Sequence, residues 1–286
     1  MKNIRIIPRL DIKGPNLVKG IHLEGLRVLG NPEFFAQLYY EQGADELIYQ
    51  DIVASLYQRN NLTEIVTRTA KNIYIPLTVG GGIRSLEDIN KVLRAGADKV
   101  SINTAAISNP NFIDRASRAF GSSTIVVSIE AIKQKDDVYL AYTDNGREFT
   151  GKNVLSWAEE VESRGAGEIL ITSIDKEGTG KGFDLNLIKL ITDVVKIPVI
   201  AHGGAGSMSH IVDSINYANA DAVCIASMLH YDSIKNSGFK INNNEKEGNY
   251  EFLKKGNNYK LYDSFNLTEI KSFLSQEDIN IRQVIK

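Results

Sequence analysis

Two carboxylates and two glycine-rich stretches carry the chemical potential of this sequence. Asp11 follows the apolar run 4–10, and Glu130 follows a similar run, 124–129, 119 residues later. One carboxylate can accept a proton and one carboxylic acid can donate it, so a facing pair suits general acid–base chemistry. A carboxylate after a strand equally suits capping the next turn or pairing with a lysine, and symmetry alone does not decide between the two. The glycine stretches are Val79-Gly80-Gly81-Gly82-Ile83-Arg84-Ser85 and Ala201-His202-Gly203-Gly204-Ala205-Gly206-Ser207. Such turns bare backbone N–H groups beside a helix start, where a phosphate can sit. The plainer reading is a tight strand-to-helix turn.

The elements that must hold these residues come in two matching sets. Gly81 and Gly203 are 122 residues apart, as are Gly43-Ala44-Asp45-Glu46 and Gly165-Ala166-Gly167-Glu168. Such a long internal period indicates two fused halves rather than a stack of small repeats. Apolar strand runs near 4–10, 46–51, 74–79, 98–103, 124–129, 167–172, 198–202 and 221–226 alternate with helical patterns near 32–43, 60–72, 85–95, 109–119, 152–164, 184–195, 208–217 and 265–275. Eight βα units, four per half, indicate an α/β fold of the (β/α)₈ TIM-barrel type, one domain over 1–286, built from two half-barrels. Active sites of such barrels lie where strands end. That rule selects Asp11, Asp51, Gly80 to Gly82, Asn103-Thr104, Glu130, Thr172-Ser173, Gly203-Gly204 and Ala226-Ser227. Two symmetric loops with polar neighbours favour two phosphate cradles over mere turns.

Composition narrows the partners. With 33 basic and 35 acidic side chains the formal net charge is −2, which gives no bulk attraction to nucleic acid or anionic membranes. The single Cys224 excludes a disulfide framework, and His22, His202, His210 and His230 lack metal-ligand spacing. Neither a metal nor another cofactor is expected, and the expected setting is the cytoplasm. Residues 232–262, rich in Asn, Lys and Gly, read as a solvated loop inserted after the eighth strand, on the catalytic side.

The chain resembles the cyclase subunit of imidazole glycerol phosphate synthase, the HisF type. The resemblance rests on Leu10-Asp11-Ile12-Lys13 with Val18-Lys19-Gly20, on Val79-Gly80-Gly81-Gly82-Ile83-Arg84, on Gly96-Ala97-Asp98-Lys99-Val100-Ser101-Ile102-Asn103-Thr104-Ala105, on Arg164-Gly165-Ala166-Gly167-Glu168 with Thr172-Ser173-Ile174-Asp175, and on Gly203-Gly204-Ala205-Gly206. It implies a barrel that takes ammonia from a separate glutaminase subunit (HisH type) on its N-terminal face. The ammonia reacts with a ribonucleotide bearing two phosphates, giving imidazole glycerol phosphate and aminoimidazole carboxamide ribonucleotide. By the same resemblance Asp11 and Glu130 are the acid/base pair, and Lys19 lies on a mobile first loop. Gly81, Gly82, Asn103, Thr104, Ser173, Glu177, Gly178, Gly203, Gly204 and Ser227 bind substrate and its phosphates. Arg5, Glu46, Lys99 and Glu168 form an ammonia gate at the barrel bottom, where a plain salt-bridge layer is the other reading, and Asp98 signals to the glutaminase.

Departures from the family pattern gather on the substrate side. Glu130 stands where aspartate is usual, and one methylene displaces a carboxylate by ~1.5 Å, when ~1 Å can cost roughly 10²-fold in rate. Arg9 replaces a small residue and, two positions before Asp11 on a strand, is expected to point into the barrel beside it. His202 and Glu177 also depart, as does the insertion at 232–262. Three alternatives follow from this pattern. One is ammonia-dependent amidination of a nucleotide-linked sugar for surface polysaccharide, as in a paralogous branch of the family. A second is a non-catalytic barrel that activates a glutaminase. The single-chain isomerase of the same pathway, a third, needs no ammonia gate, so Arg5, Glu46, Lys99 and Glu168 count against it.

Overall fold

Eight parallel strands close into a barrel in the structure, a computed structural model that describes residues 2–54, 62–236 and 263–283. The barrel strands are β1 (Arg5–Lys13), β4 (Leu47–Asp51), β5 (Leu77–Gly80), β6 (Lys99–Ile102), β7 (Ile125–Lys133), β10 (Glu168–Ser173), β11 (Val199–His202) and β12 (Ala222–Ile225). Each pairs with the next in chain order; β12 pairs with β1, and β7 with β10 joins the two halves. The eight strands and the closed α/β barrel agree with the sequence expectation. The third strand is shorter than expected, starting at Leu77 and not at 74, because Tyr74 is 80% exposed and residues 74–76 lie outside the ladder.

Helices cover the outside: α1 (Pro32–Glu41), α2 (Leu62–Ala70), α3 (Leu86–Arg94), α4 (Thr104–Ser108), α5 (Asn111–Phe120), α6 (Val154–Ser163), α7 (Leu185–Thr192), α8 (Met208–Asn216), α9 (Ser227–Asn236) and α10 (Leu267–Gln276). Their apolar faces meet the outward side chains of the strands in one large cluster, with Phe35, Tyr39, Phe112 and Trp157 fully buried. Alternation along the strands sends the other side chains into the barrel. The helices after the two glycine loops start alike: Ser85 accepts from the Asp88 amide and Ser207 from the His210 amide, each as an N-cap.

Two antiparallel hairpins escape the sequence expectation. β2 (Asn16–Ile21) and β3 (Glu24–Gly30) continue from β1, while β8 (Tyr139–Thr143) and β9 (Glu148–Asn153) continue from β7. They occupy equivalent places in the two halves. α4 and α9 are likewise additional. Of the loop expected over 232–262, residues 232–236 are instead the end of α9, with Asp232 and Ser233 buried; residues 237–262 lie outside the described residues.

The C-terminal segment is tied to the barrel bottom by one carboxylate. Asp45 Oδ1 accepts from Lys271 Nζ at 2.7 Å and Arg282 Nε at 2.8 Å, and Oδ2 accepts from the Ile6 amide at 2.8 Å. Lys271 is 3% exposed, and its burial lowers its pKa even though Asp45 works against the shift. Asp45→Ala strands that ammonium and is expected to cost ~3 kcal/mol in urea unfolding, with Asp45→Ala/Lys271→Met recovering most of the loss. Equal losses in the single and double variants would show that the ion pair is not what matters.

Candidate active site at the barrel mouth

The barrel interior is layered. At the N-terminal end, Arg5 Nη1 lies 2.6 Å from Glu46 and 3.1 Å from Glu168, while Lys99 Nζ lies 3.1 Å from Glu46 and 2.7 Å from Glu168. These four residues, grouped from sequence, form a closed square of alternating charge. Burial works to lower the Arg5 pKa, but Glu168 and Glu46 outweigh it and the net shift is upward. Above the square sits an apolar layer of Ile7, Ile48, Val126, Leu170, Ile200, Ala222 and Cys224. Two residues further along β1, β7, β10 and β11 come Arg9, Ser128, Thr172 and His202, which open the polar mouth.

The first glycine loop borders a cavity of about 550 Å³, lined by Gly81, Gly82, Arg84, Ser101, Asn103, Thr104, Ser128 and Glu130 among others. Gly81 has φ +98°, and a Cβ there would collide with the Asp51 carbonyl oxygen, so this turn accepts only glycine. The helix α4 starts without a side-chain cap, and its first residues, Thr104 and Ala105, line the cavity. Asn103 Oδ1 and Ser101 Oγ are buried without a partner. Burial of that kind costs ~1–3 kcal/mol per group, a cost that a ligand can relieve. The β8–β9 turn adds Asp144 and Asn145 to the rim, and Arg84 Nη2 donates to the Ala54 carbonyl at 3.1 Å. None of Arg84, Asp144 and Asn145 was singled out as a site residue from the sequence. Asp144-Asn145-Gly146 after the apolar and aromatic residues 138–143 is a hairpin signal that would have located two of them.

The second loop is built alike but closed. Gly203 has φ +96°, and its Cβ would meet the Ser173 carbonyl, the counterpart of Asp51 in the other half. Gly203, Gly204 and Ser227 line a space of only about 20 Å³ together with Lys19, Glu177, Gly178 and His202. The β2–β3 hairpin closes it. Lys19, expected on a mobile loop, is instead in β2, 2% exposed, ion-paired to Glu177 and 3.9 Å from Asp11. The hairpin tip is strained, with His22 at φ +53° and Leu23 at φ +60°. Glu177 holds both: its carbonyl accepts from the His22 amide at 3.0 Å and Oε2 from the Leu23 amide at 2.9 Å. Ser173 Oγ is buried and unpartnered beside this loop.

The two carboxylates sit on opposite sides of the barrel, four strands apart in either direction, in unlike surroundings. Asp11 is 2% exposed and accepts from Arg9 Nε at 2.8 Å, the contact expected from the strand alternation. Glu130 borders the open cavity, accepts from the Gly146 amide at 2.9 Å and has no ion pair among the described residues. Burial pushes its carboxyl up to about 7, against the opposing pull of Arg9, the Gly146 amide and Asn103. Asp98, expected to signal, has its Oδ2 accepting from the Leu77 amide at 2.9 Å. Asp221 does the same for Val199, and Asp45 for Ile6, so this contact is a repeated strand-start brace.

Known proteins resemble this chain over most of its length. Residues 5–235 match the family model described as histidine biosynthesis protein. An imidazole glycerol phosphate synthase subunit HisF of Legionella pneumophila is 62% identical over 208 residues, covering 73% of this chain and 98% of that protein. HisF subunits of Trichormus variabilis and Methanocaldococcus jannaschii are 49% and 48% identical, over 82% and 79% of this chain and 92% and 90% of their own lengths. No helix among the described residues is long and apolar enough to cross a membrane. With its closed barrel, paired glycine loops and these relatives, the chain belongs to the histidine biosynthesis protein family, among the HisF cyclase subunits of imidazole glycerol phosphate synthase.

Proposed function

We propose that the barrel mouth binds a ribonucleotide carrying two phosphates, one on each glycine loop, and that Glu130 and Asp11 move protons on the group held between them. The observation that carries this reading is the 550 Å³ cavity in which Glu130, Gly81, Gly82, Asn103 and Thr104 share one wall-to-wall space with unpartnered polar atoms. Gly203, Gly204, Ser227, Ser173, Lys19, Glu177 and Gly178 take the other phosphate after the hairpin opens. The products on this reading are imidazole glycerol phosphate and aminoimidazole carboxamide ribonucleotide, the cyclase outcome that the relatives' names support over amidination of a sugar or a non-catalytic barrel.

The relatives are named as subunits, which supports a partner. We place that partner, a glutaminase of the HisH type, on the N-terminal face beside Asp98 and the exposed Tyr74. Ammonia released there passes the square of Arg5, Glu46, Lys99 and Glu168. The apolar layer beyond it hinders ammonium while letting neutral ammonia through, because a bare ion in that layer has no counter-charge. The test is turnover of the bis-phosphorylated ribonucleotide by the purified chain with ammonium salt at alkaline pH, followed by the same reaction with glutamine and the glutaminase. Lys99→Met is expected to lower the ratio of glutamine-driven to ammonium-driven rate by about tenfold, the scale of one charge-assisted contact. An unchanged ratio would remove the gate from the account, and absence of ammonium-driven turnover would remove the cyclase chemistry.

A further inference from the structure

His202 and Arg9 form a pair that the acid/base and phosphate assignments leave unused. Both are at least 96% buried, by relative exposures of 4% and 3%. Arg9 Nη1 lies 3.3 Å from His202 Nδ1, and Thr172 Oγ1 lies 3.1 Å from the same atom. A guanidinium has five N–H donors and no acceptor. His202 Nδ1 therefore carries its lone pair toward Arg9, and the ring proton is on Nε2. Nε2 has no hydrogen-bond partner among the described residues, while His202 borders the small cavity with Lys19, Gly203, Gly204 and Ser227.

We propose that Arg9 is a positioning residue that fixes the tautomer of His202, and that the His202 Nε2–H is a neutral hydrogen-bond donor to the anionic oxygen held at the second glycine loop. The inference rests on reading that loop as a phosphate cradle. Arg9 is itself anchored through Nε on Asp11, so one guanidinium links the acid/base carboxylate on β1 to the phosphate donor two strands away on β11. The imidazole stays neutral here: burial lowers its pKa well below the usual histidine range, and the positive charges of Arg9 and Lys19 push the same way. The first cradle has no equivalent, since Gly80 precedes Gly81 where His202 precedes Gly203. The two ends of the substrate are thus told apart by a donor present at one loop only.

The test uses the full-length chain labelled with ¹⁵N-histidine, with the His202 resonances assigned by their loss in His202→Asn. Without ligand at pH 7.5, the expected spectrum shows Nε2 protonated and Nδ1 bare; an Nδ1–H tautomer or an imidazolium overturns the proposal. Titration with inorganic phosphate is expected to move the Nε2–H signal saturably, and a signal that does not move overturns it. Arg9→Met is expected to bring in a population of the Nδ1–H form. In steady-state assays His202→Ala is expected to raise KM for the phosphorylated substrate about tenfold, the weight of one hydrogen bond to a charged group, with His202→Asn recovering part of it. A loss confined to kcat overturns the binding role. The spectra need no turnover: phosphate engaging His202 in a chain that fails to cyclise the ribonucleotide would sink the reaction assignment and leave this inference standing.

Discussion

Asp11→Asn is expected to cost both activity and stability. In its proposed role as one of two groups moving protons, Asp11 contributes on the scale of 10²–10⁴-fold in rate. Its second role is local charge balance, because Arg9 is 3% exposed and Asp11 is the carboxylate on its Nε. Removing one partner of a buried ion pair leaves the other uncompensated, at a cost of about 3–5 kcal/mol. Denaturant unfolding of the variant measures this directly. Asp11→Asn/Arg9→Met is expected to recover most of the stability and none of the rate. An Asp11→Asn protein as stable as the parent would mean that the Arg9 charge is balanced elsewhere, with Glu177 the nearest candidate by its influence on the guanidinium.

Glu130→Gln is expected to lose rate on the same scale while moving stability the other way. The Glu130 carboxyl is raised from 4.5 to about 7, chiefly by burial, so the folded chain holds this proton more tightly than the unfolded chain does. Stability from this group is fully present below pH 4.5 and is lost as the pH rises toward about 7. A shift of that size amounts to about 3 kcal/mol between pH 4 and pH 8. Urea unfolding at those two pH values should show a drop in the parent that is smaller by about 3 kcal/mol in Glu130→Gln. The same drop in both proteins would mean that Glu130 ionises freely in the folded state. Asp11→Asn and Glu130→Gln thus separate two carboxylates that an activity assay alone would report as equivalent.

Legibility in the sequence followed the range of the interaction. The barrel was readable because each strand is an apolar run followed by a helical pattern, and the halves repeat at 122 residues. Residues 74–76 looked like strand because Tyr74 and Ile75 are apolar, yet ladder pairing starts at Leu77, and composition does not encode pairing. The first hairpin is hard to read because a strand run broken by Gly and charged residues, 16–30, has little alternation to detect, whereas the second carries its signal in the turn 144–146. Arg9 beside Asp11 was foreseeable at a separation of two residues. Arg9 against His202, 193 residues away, and Lys19 against Glu177, 158 residues away, exist only once the barrel closes. The burial that raises Glu130 likewise belongs to the assembled mouth and not to any local pattern.

If the two glycine loops hold phosphates as proposed, their unequal size sets an order of events. A molecule with a phosphate at each end meets an open berth of about 550 Å³ and a shut one of about 20 Å³. Its first landing is therefore beside Asn103 and Thr104. From there the free end is tethered, and its local concentration at the hairpin is in the millimolar range typical of short linkages rather than that of the solution. Breaking the Lys19–Glu177 pair then becomes an intramolecular competition between a carboxylate and a phosphate for one ammonium. On the same reading a ligand with a single phosphate has to open the hairpin from bulk solution and needs a far higher concentration to do so, so the hairpin works as a ruler that favours molecules by the distance between their charged ends.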